Sequence, residues 1–362
     1  MSRSLPCLVA CLALVLPLGC SRDEPQQARP KEPTSTLAWQ ELPALPNPLG
    51  FGGLFAGTHN GALIVAGGAH FPVSLFEGGT KVWVDSLFVL EPGEPAWHTG
   101  FKLPRPLAYG ASVSTTDGVL LLGGCDADKC YADCHRLRWA RGKVATSPLP
   151  PLPKPCAMTS AERIGDVVYL AGGQDSPKAT AAMKNFWRLD LAATTPKWEE
   201  LRPWPGPARI LPVAAARGQN FYLFSGAQLV PGEEGKVGRT YLTDAYRFSP
   251  GIGWTRLADM PRPAVAAPTP AMPFDTSQIL VCSGDDGANA DRVFELKESH
   301  PGFPPDILSY DVDADAWSTA GKMPTALVTS STTTWRGLYI VPSGEIRPGV
   351  RSPKVLGAKR AD

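Results

Sequence analysis

Near the end of the chain, Gly344-Glu345-Ile346-Arg347-Pro348-Gly349-Val350-Arg351 sets one carboxylate and two guanidiniums within seven residues. A carboxylate can take a proton from a hydroxyl or return it. A guanidinium presents a planar fork that matches a carboxylate bidentately. Pro348-Gly349 is a turn-forming pair, so the loop can bend back and bring Arg351 to Glu345. On composition alone, the same residues also describe a solvated loop ion pair, which contributes little. His70, Gln174, Asp175, Arg209, Gln228, Asp285 and Asp286 are further polar candidates. Each follows a glycine turn or precedes a strand of small residues, positions where a structural or solvated role competes with ligand contact. Asp285 and Asp286 are adjacent in a turn and diverge, which makes them a poor metal site.

These residues need elements to carry them, and one pattern recurs six times. An apolar run ends in glycine: Leu63–Gly68, Leu120–Gly124, Val168–Gly173, Phe221–Gly226, Ile279–Gly284 and Leu338–Gly344. A segment of small or β-branched residues precedes each run: Gly52–Gly57, Tyr109–Ser114, Cys156–Ala161, Pro212–Ala216, Val265–Pro270 and Leu327–Thr333. Most runs are followed by another strand, such as Ser86–Leu90. Most then carry a lone tryptophan before a short proline turn: Trp97, Trp198, Trp254 and Trp317. The second copy lacks it.

This predicts four-stranded blades, with small residues innermost and tryptophan filling the space between neighbours. The final copy has only three strands, Leu327–Trp335, Leu338–Val341 and a weak Lys354–Leu356. Trp39-Gln-Glu-Leu-Pro43 has the outer-strand pattern and is predicted to complete that blade, closing the ring and removing its open edges. The fold class expected is all-β, a six-bladed β-propeller over residues 37–362.

The repeat resembles the kelch repeat. Gly344-Glu345-x-x-Pro348-Gly349-x-Arg351 resembles the signature loop of the bacterial N-acetylneuraminate epimerases, or sialic acid mutarotases. The stretch Gly50–Pro72 is similar to a strand pair of the same family. Its order relative to the Glu345 loop is reversed, which resembles the cyclically permuted group of these mutarotases. Opening a closed ring at a different loop keeps its contacts, so permutation is physically easy.

The resemblance implies Glu345 as general acid/base and Arg351 as a substrate ligand. Arg347, His70 and Arg209 join Arg351 as candidate substrate-binding residues. The family's Arg-Ala-Tyr-Gly reads Leu107-Ala-Tyr-Gly110 here, with Arg105 nearby. The expected function is a sugar anomerase acting on N-acetylneuraminate or a related carboxylated sugar. The alternatives are a non-catalytic kelch module binding glycan or protein, and another exported carbohydrate enzyme. A hydrolase would usually use two carboxylates at a set separation, and the loop offers one clear carboxylate.

Composition sets the remaining bounds. The 362 residues carry 35 basic and 34 acidic side chains, a net charge of +1, and so give no electrostatic reason to expect nucleic acid. No motif calls for a metal or cofactor. Residues 1–20 read as an export signal, with Arg3 ahead of the apolar stretch Leu5–Leu18 and Gly19-Cys20 at its end. That pattern resembles a lipoprotein signal with Cys20 as the lipidated residue, ordinary cleavage being the alternative. It implies a periplasmic or outer-membrane protein that meets the membrane only through a lipid anchor. Residues 21–36 are polar and proline-rich and read as a tether. Export permits disulfides. Among Cys125, Cys130, Cys134 and Cys156, at least one local disulfide is expected in preference to a metal cluster, with Cys282 a buried thiol.

Overall fold

Each copy of the repeat folds as four antiparallel strands, and the six sheets form a six-bladed β-propeller. The computed structural model describes residues 1–2, 37–232 and 236–361. The signal, the tether and Cys20 therefore lie outside the described residues. From the axis outward, blade 1 runs Phe55–His59, Ala62–Ala66, Ser86–Leu90, His98–Lys102. Blade 6 runs Thr333–Trp335, Leu338–Arg347, Val350–Arg360 and then Leu37–Leu42. The N-terminal strand is thus the outer strand of the last blade, with Leu37 paired to Arg360 and Leu42 to Val355. Val350–Arg360 is much longer than the weak strand expected at Lys354–Leu356.

The six main apolar cores lie between blades. One joins Phe186 and Trp204 of blade 3 to Phe221 and Tyr246 of blade 4. Another joins Ile340 and Val355 of blade 6 to Phe51, Val65 and Trp97 of blade 1. The recurring tryptophan fills this space and donates its indole N–H to the preceding blade. Trp97 reaches Pro43 O at 2.8 Å, Trp198 reaches Pro150 O at 3.0 Å, and Trp254 and Trp317 reach Arg202 O and Ala258 O at 2.9 Å.

The glycine that ends each apolar run has a physical reason. Gly68, Gly124, Gly173, Gly226, Gly284 and Gly344 have φ between 100° and 135°, a region that side chains rarely enter. The residue before each lies at φ 51–70°, where serine is tolerated, so three copies read Ser-Gly.

The small-residue segments differ from the expectation. Their strands begin later, at Ala111–Thr115 rather than Tyr109 and at Met272–Phe274 rather than Val265. The cause is one left-handed residue ahead of each: Gly53, Tyr109, Met158, Leu211, Ala266 and Thr329, all with φ of 51–69°. Their peptides close a ring around the axis. Tyr109 N–H donates to Gly53 O, Met158 to Tyr109, Leu211 to Met158, Ala266 to Leu211, Thr329 to Ala266 and Gly53 to Thr329, at 2.6–3.1 Å. Left-handed backbone costs about 1–2 kcal/mol at a residue with a side chain. The closed cycle of six hydrogen bonds satisfies groups that the converging strands would otherwise leave unpaired.

Beneath the ring, hydroxyls stitch the innermost strands together. Ser112 Oγ donates to Ala56 O at 2.7 Å and accepts from Ala56 N–H at 3.0 Å. At the far mouth of the channel, Thr58, Ser114, Glu162 and Thr333 line a cavity of about 400 Å³. Glu162 is half-buried by its side chain, but its carboxyl sits deep, and burial pushes it up to about 7.

The expected disulfide is absent, since all five described cysteines are free and buried. Cys125 and Cys130 face each other across an isolated antiparallel bridge. Cys134 donates to Ala132 O and Cys156 to Gly172 O. Cys282 is fully buried in its strand, as expected, and burial pushes its thiol up to about 12.

Candidate functional site

The residue after each recurring glycine occupies an equivalent place around the ring. Ala69, Cys125, Gln174, Ala227, Asp285 and Glu345 each form an isolated bridge, to Gly52, Ala108, Ala157, Ile210, Val265 and Val328 respectively. Only two of the six are acids, Asp285 of blade 5 and Glu345 of blade 6, and they are neighbours around the ring.

Glu345 and Arg351 are cross-strand partners in the last hairpin. Pro348 and Gly349 form its corner, and Gly349 takes φ 80°, the value that the second corner of a type II turn requires. Gly349 N–H donates to Glu345 Oε1 at 2.7 Å, and Arg351 Nη2 lies 3.2 Å from Oε2. Both oxygens of Glu345 are therefore held.

The Arg351 side chain is 3% exposed. Its Nε and Nη1 are buried without a hydrogen-bond partner. Burial pulls its pKa down, but Glu345 and the Tyr109 hydroxyl outweigh that and raise it, so the guanidinium stays charged. Phe71 covers it, with the Arg351 Cζ 4.9 Å from the ring centroid. Gly52 leaves the room on the other side, because a Cβ there would lie 3.1 Å from Arg351 Nε. A buried guanidinium with two orphaned donors is costly to hold and is suited to an anion that takes them.

Around this pair stands a cationic and aromatic wall. Lys81 Nζ lies 4.9 Å from the Tyr109 ring, 5.5 Å from Trp83 and 5.8 Å from Phe71. His70 is buried beside it, stacked on Phe51 at 5.5 Å. Burial first, and then Arg351, lowers its pKa and keeps it neutral. On the other flank of Glu345 opens a cavity of about 430 Å³. Its walls include Asp285, Tyr241, Arg239 and Phe303, and three residues of the axial ring, Leu211, Ala266 and Thr329, form part of its lining.

Not every expected site residue comes here. Arg209 is 0% exposed and is a packing residue, a correction of its expected role. Its Nη2 pairs with Asp244 at 2.6 Å, Nη1 donates to Ser225 O at 2.7 Å, and Trp204 and Tyr246 flank its guanidinium. With Nε donating to Pro207 O at 3.3 Å, all three guanidinium nitrogens are engaged within the protein. Arg347 is also turned aside, its Nη1 donating to Glu298 O at 2.8 Å and so tying the hairpin to the blade-5 insert. Arg105 pairs with Asp133 at 2.9 Å and stacks on Tyr131, so it does not stand in for the arginine missing at Leu107. Sequence reasoning missed Lys81, Trp83, Arg239 and Tyr241, which sit on insertions without a repeat signature. Tyr109 was visible only within its motif.

Residues 149–297 match the family model described as N-acetylneuraminate epimerase. The resemblance to that family read from the sequence holds over this segment. It spans blade 3, blade 4 and the first half of blade 5, with Asp285 inside it and the Glu345 hairpin outside it.

Relatives bearing the name N-acetylneuraminate epimerase agree. The Haemophilus influenzae (strain PittEE) protein is 28% identical over 217 residues, covering 54% of this chain and 55% of the relative. The Vibrio cholerae protein is 37% identical over 102 residues, covering 24% and 26%. The chain spans about half the length of the first curated relatives it matches. The solved structure described as "Structure of YjhT" superposes with a TM-score of 0.64 at 14% identity, covering 87% of this chain and 96% of the other. At that identity, the likeness is one of fold.

Proposed function

We propose that this protein is a sugar anomerase acting on N-acetylneuraminate or a closely related carboxylated sugar. The observation that carries the reading is Arg351, buried beside Glu345 with Nε and Nη1 unpartnered. In N-acetylneuraminate the carboxylate is attached to the anomeric carbon. A sugar whose carboxylate takes those two donors brings its anomeric hydroxyl to Glu345. Glu345 then removes the hydroxyl proton, the ring opens, and closure on the other face returns the second anomer.

The permuted chain order belongs to this reading and accords with relatives that align over only part of their length. So does export. The stretch Leu5–Leu18 followed by Gly19-Cys20 supports a lipid-anchored periplasmic or outer-membrane protein. Palmitate labelling that is lost in Cys20→Ala is the expected result; labelling that survives would discard the anchor at this residue.

The deciding experiment is NMR anomer exchange on purified protein, with N-acetylneuraminate and a panel of neutral sugars. Exchange should accelerate for the carboxylated sugar alone. The methyl glycoside lacks the anomeric O–H and should stay intact. Tight binding without acceleration would favour a binding module, and cleavage of the glycoside would favour a hydrolase.

A further inference from the structure

We infer that Asp285 is the second proton-transfer group of this site, the acid that protonates the sugar ring oxygen while Glu345 takes the anomeric proton. The inference rests on the anomerase reading and completes it, because opening a pyranose moves two protons and Glu345 accounts for one.

The first support is placement. Asp285 and Glu345 follow the recurring glycines of adjacent blades and are the only acids at the six equivalent positions. Both line the same cavity of about 430 Å³, large enough for one sugar ring with its substituents. Leu211, Val265 and Val328 form the apolar part of its wall, and Arg239, Tyr241 and Thr329 stand beside the two carboxyls as polar groups that can hold a sugar hydroxyl.

The second support is the contrast between the two carboxyls. Glu345 is bound to the buried Arg351 guanidinium. Asp285, among the described residues, forms no ion pair. Its Oδ2 accepts from the Tyr241 hydroxyl at 2.9 Å and its Oδ1 from Gly287 N–H at 3.0 Å. Burial, followed more weakly by the neighbouring Asp286 charge, pushes its pKa up, despite those two donors and the Arg239 charge. A carboxyl held by a guanidinium is placed to accept a proton, and a buried one held without a cation, by a hydroxyl and an amide, is placed to donate one. Tyr241 and Gly287 would then stabilise the carboxylate that Asp285 becomes.

The step balances. The anomeric O–H proton passes to Glu345, and its electron pair forms the carbonyl. The bond from the anomeric carbon to the ring oxygen breaks, and that oxygen takes the Asp285 proton. Rotation of the open ketone exposes its other face. Closure returns the ring-oxygen proton to Asp285 and the Glu345 proton to the new anomeric hydroxyl.

Asp285→Asn preserves shape, since the Tyr241 hydroxyl can turn to accept from the amide. It should slow exchange of N-acetylneuraminate by about a hundredfold, with affinity by calorimetry within about threefold of the parent. Tyr241→Phe keeps the acid but removes one donor, and should slow exchange by about tenfold at unchanged affinity. If Asp285→Asn does not fold, the tyrosine variant decides by itself. Exchange within threefold of an active parent in the folded variants would overturn the assignment and leave the anomerase reading standing. An inactive parent would overturn both.

Discussion

Arg351 sits across the last hairpin from Glu345, with Nη2 3.2 Å from Oε2, while Gly349 in the turn between them holds the other carboxylate oxygen at 2.7 Å. The hairpin thus fixes a carboxylate and a buried guanidinium as one unit beside the axial ring.

Glu345→Gln keeps the shape and can keep the Gly349 hydrogen bond, but it cannot take a proton. Anomer exchange should fall by about a hundredfold or more, the usual scale for one general base. Binding of N-acetylneuraminate, followed by calorimetry, should persist. Equal exchange in the variant would remove the base assignment.

Arg351→Lys retains the charge and loses the fork. A hydrogen bond to a charged group contributes about 1.5–3 kcal/mol, so affinity for the carboxylated sugar should weaken by about tenfold or more. The rate at saturation should change much less. Titration calorimetry alongside saturation kinetics separates the two. A fall in rate alone would mean that Arg351 serves Glu345 rather than the substrate.

Arg209 predicts the opposite pattern. It neutralises Asp244 in a fully buried pair between aromatic rings. Arg209→Met leaves that carboxylate buried without its cation, which should cost about 3–5 kcal/mol of folding stability. Urea unfolding should show this loss, while the folded fraction exchanges anomers at the parent rate. A variant that is as stable as the parent but slower would return Arg209 to the site.

Glu162, lining the cavity at the far mouth of the channel, gives a pH signature. Burial raises its pKa from an ordinary 4.5 to about 7, so the folded protein keeps a proton that the unfolded chain releases. Stability should therefore fall as pH rises from about 4.5 to about 7, and level off above. At 1.36 kcal/mol per pKa unit, the effect is at most about 3 kcal/mol, and water in the channel reduces it. Glu162→Gln should remove this slope. The lowered pKa values of His70 and His135 act in the other direction, through protonation of the unfolded chain below about pH 6.5, and cancel in the comparison of parent with variant. Urea midpoints at pH 5 and pH 8 that shift equally in both proteins would refute it.

What the chain determined by itself was local or repeated. The six glycines are legible because a φ above 100° after each apolar run admits little else, and six copies make the pattern unmistakable. Closure is legible because a blade short of one strand and a stray Trp39–Pro43 have only one way to satisfy each other. Glu345 and Arg351 are legible as near neighbours because Pro348-Gly349 marks a turn between them, but a two-residue turn pairs residues an odd number apart, and the register shift between Glu345 and Arg347 is what sets them directly opposite. Tertiary structure decided the rest, because it depends on which blade lies beside which. Arg209 reads as a rim cation until Asp244 meets it from 35 residues away. Asp285 reads as one turn aspartate among many until Tyr241, 44 residues earlier, closes on it and Glu345 stands in the next blade. The left-handed ring is invisible in residue types, since Tyr109, Met158 and Leu211 have no intrinsic preference for that backbone. Only the hydrogen bonds of a closed sixfold cycle hold them in it.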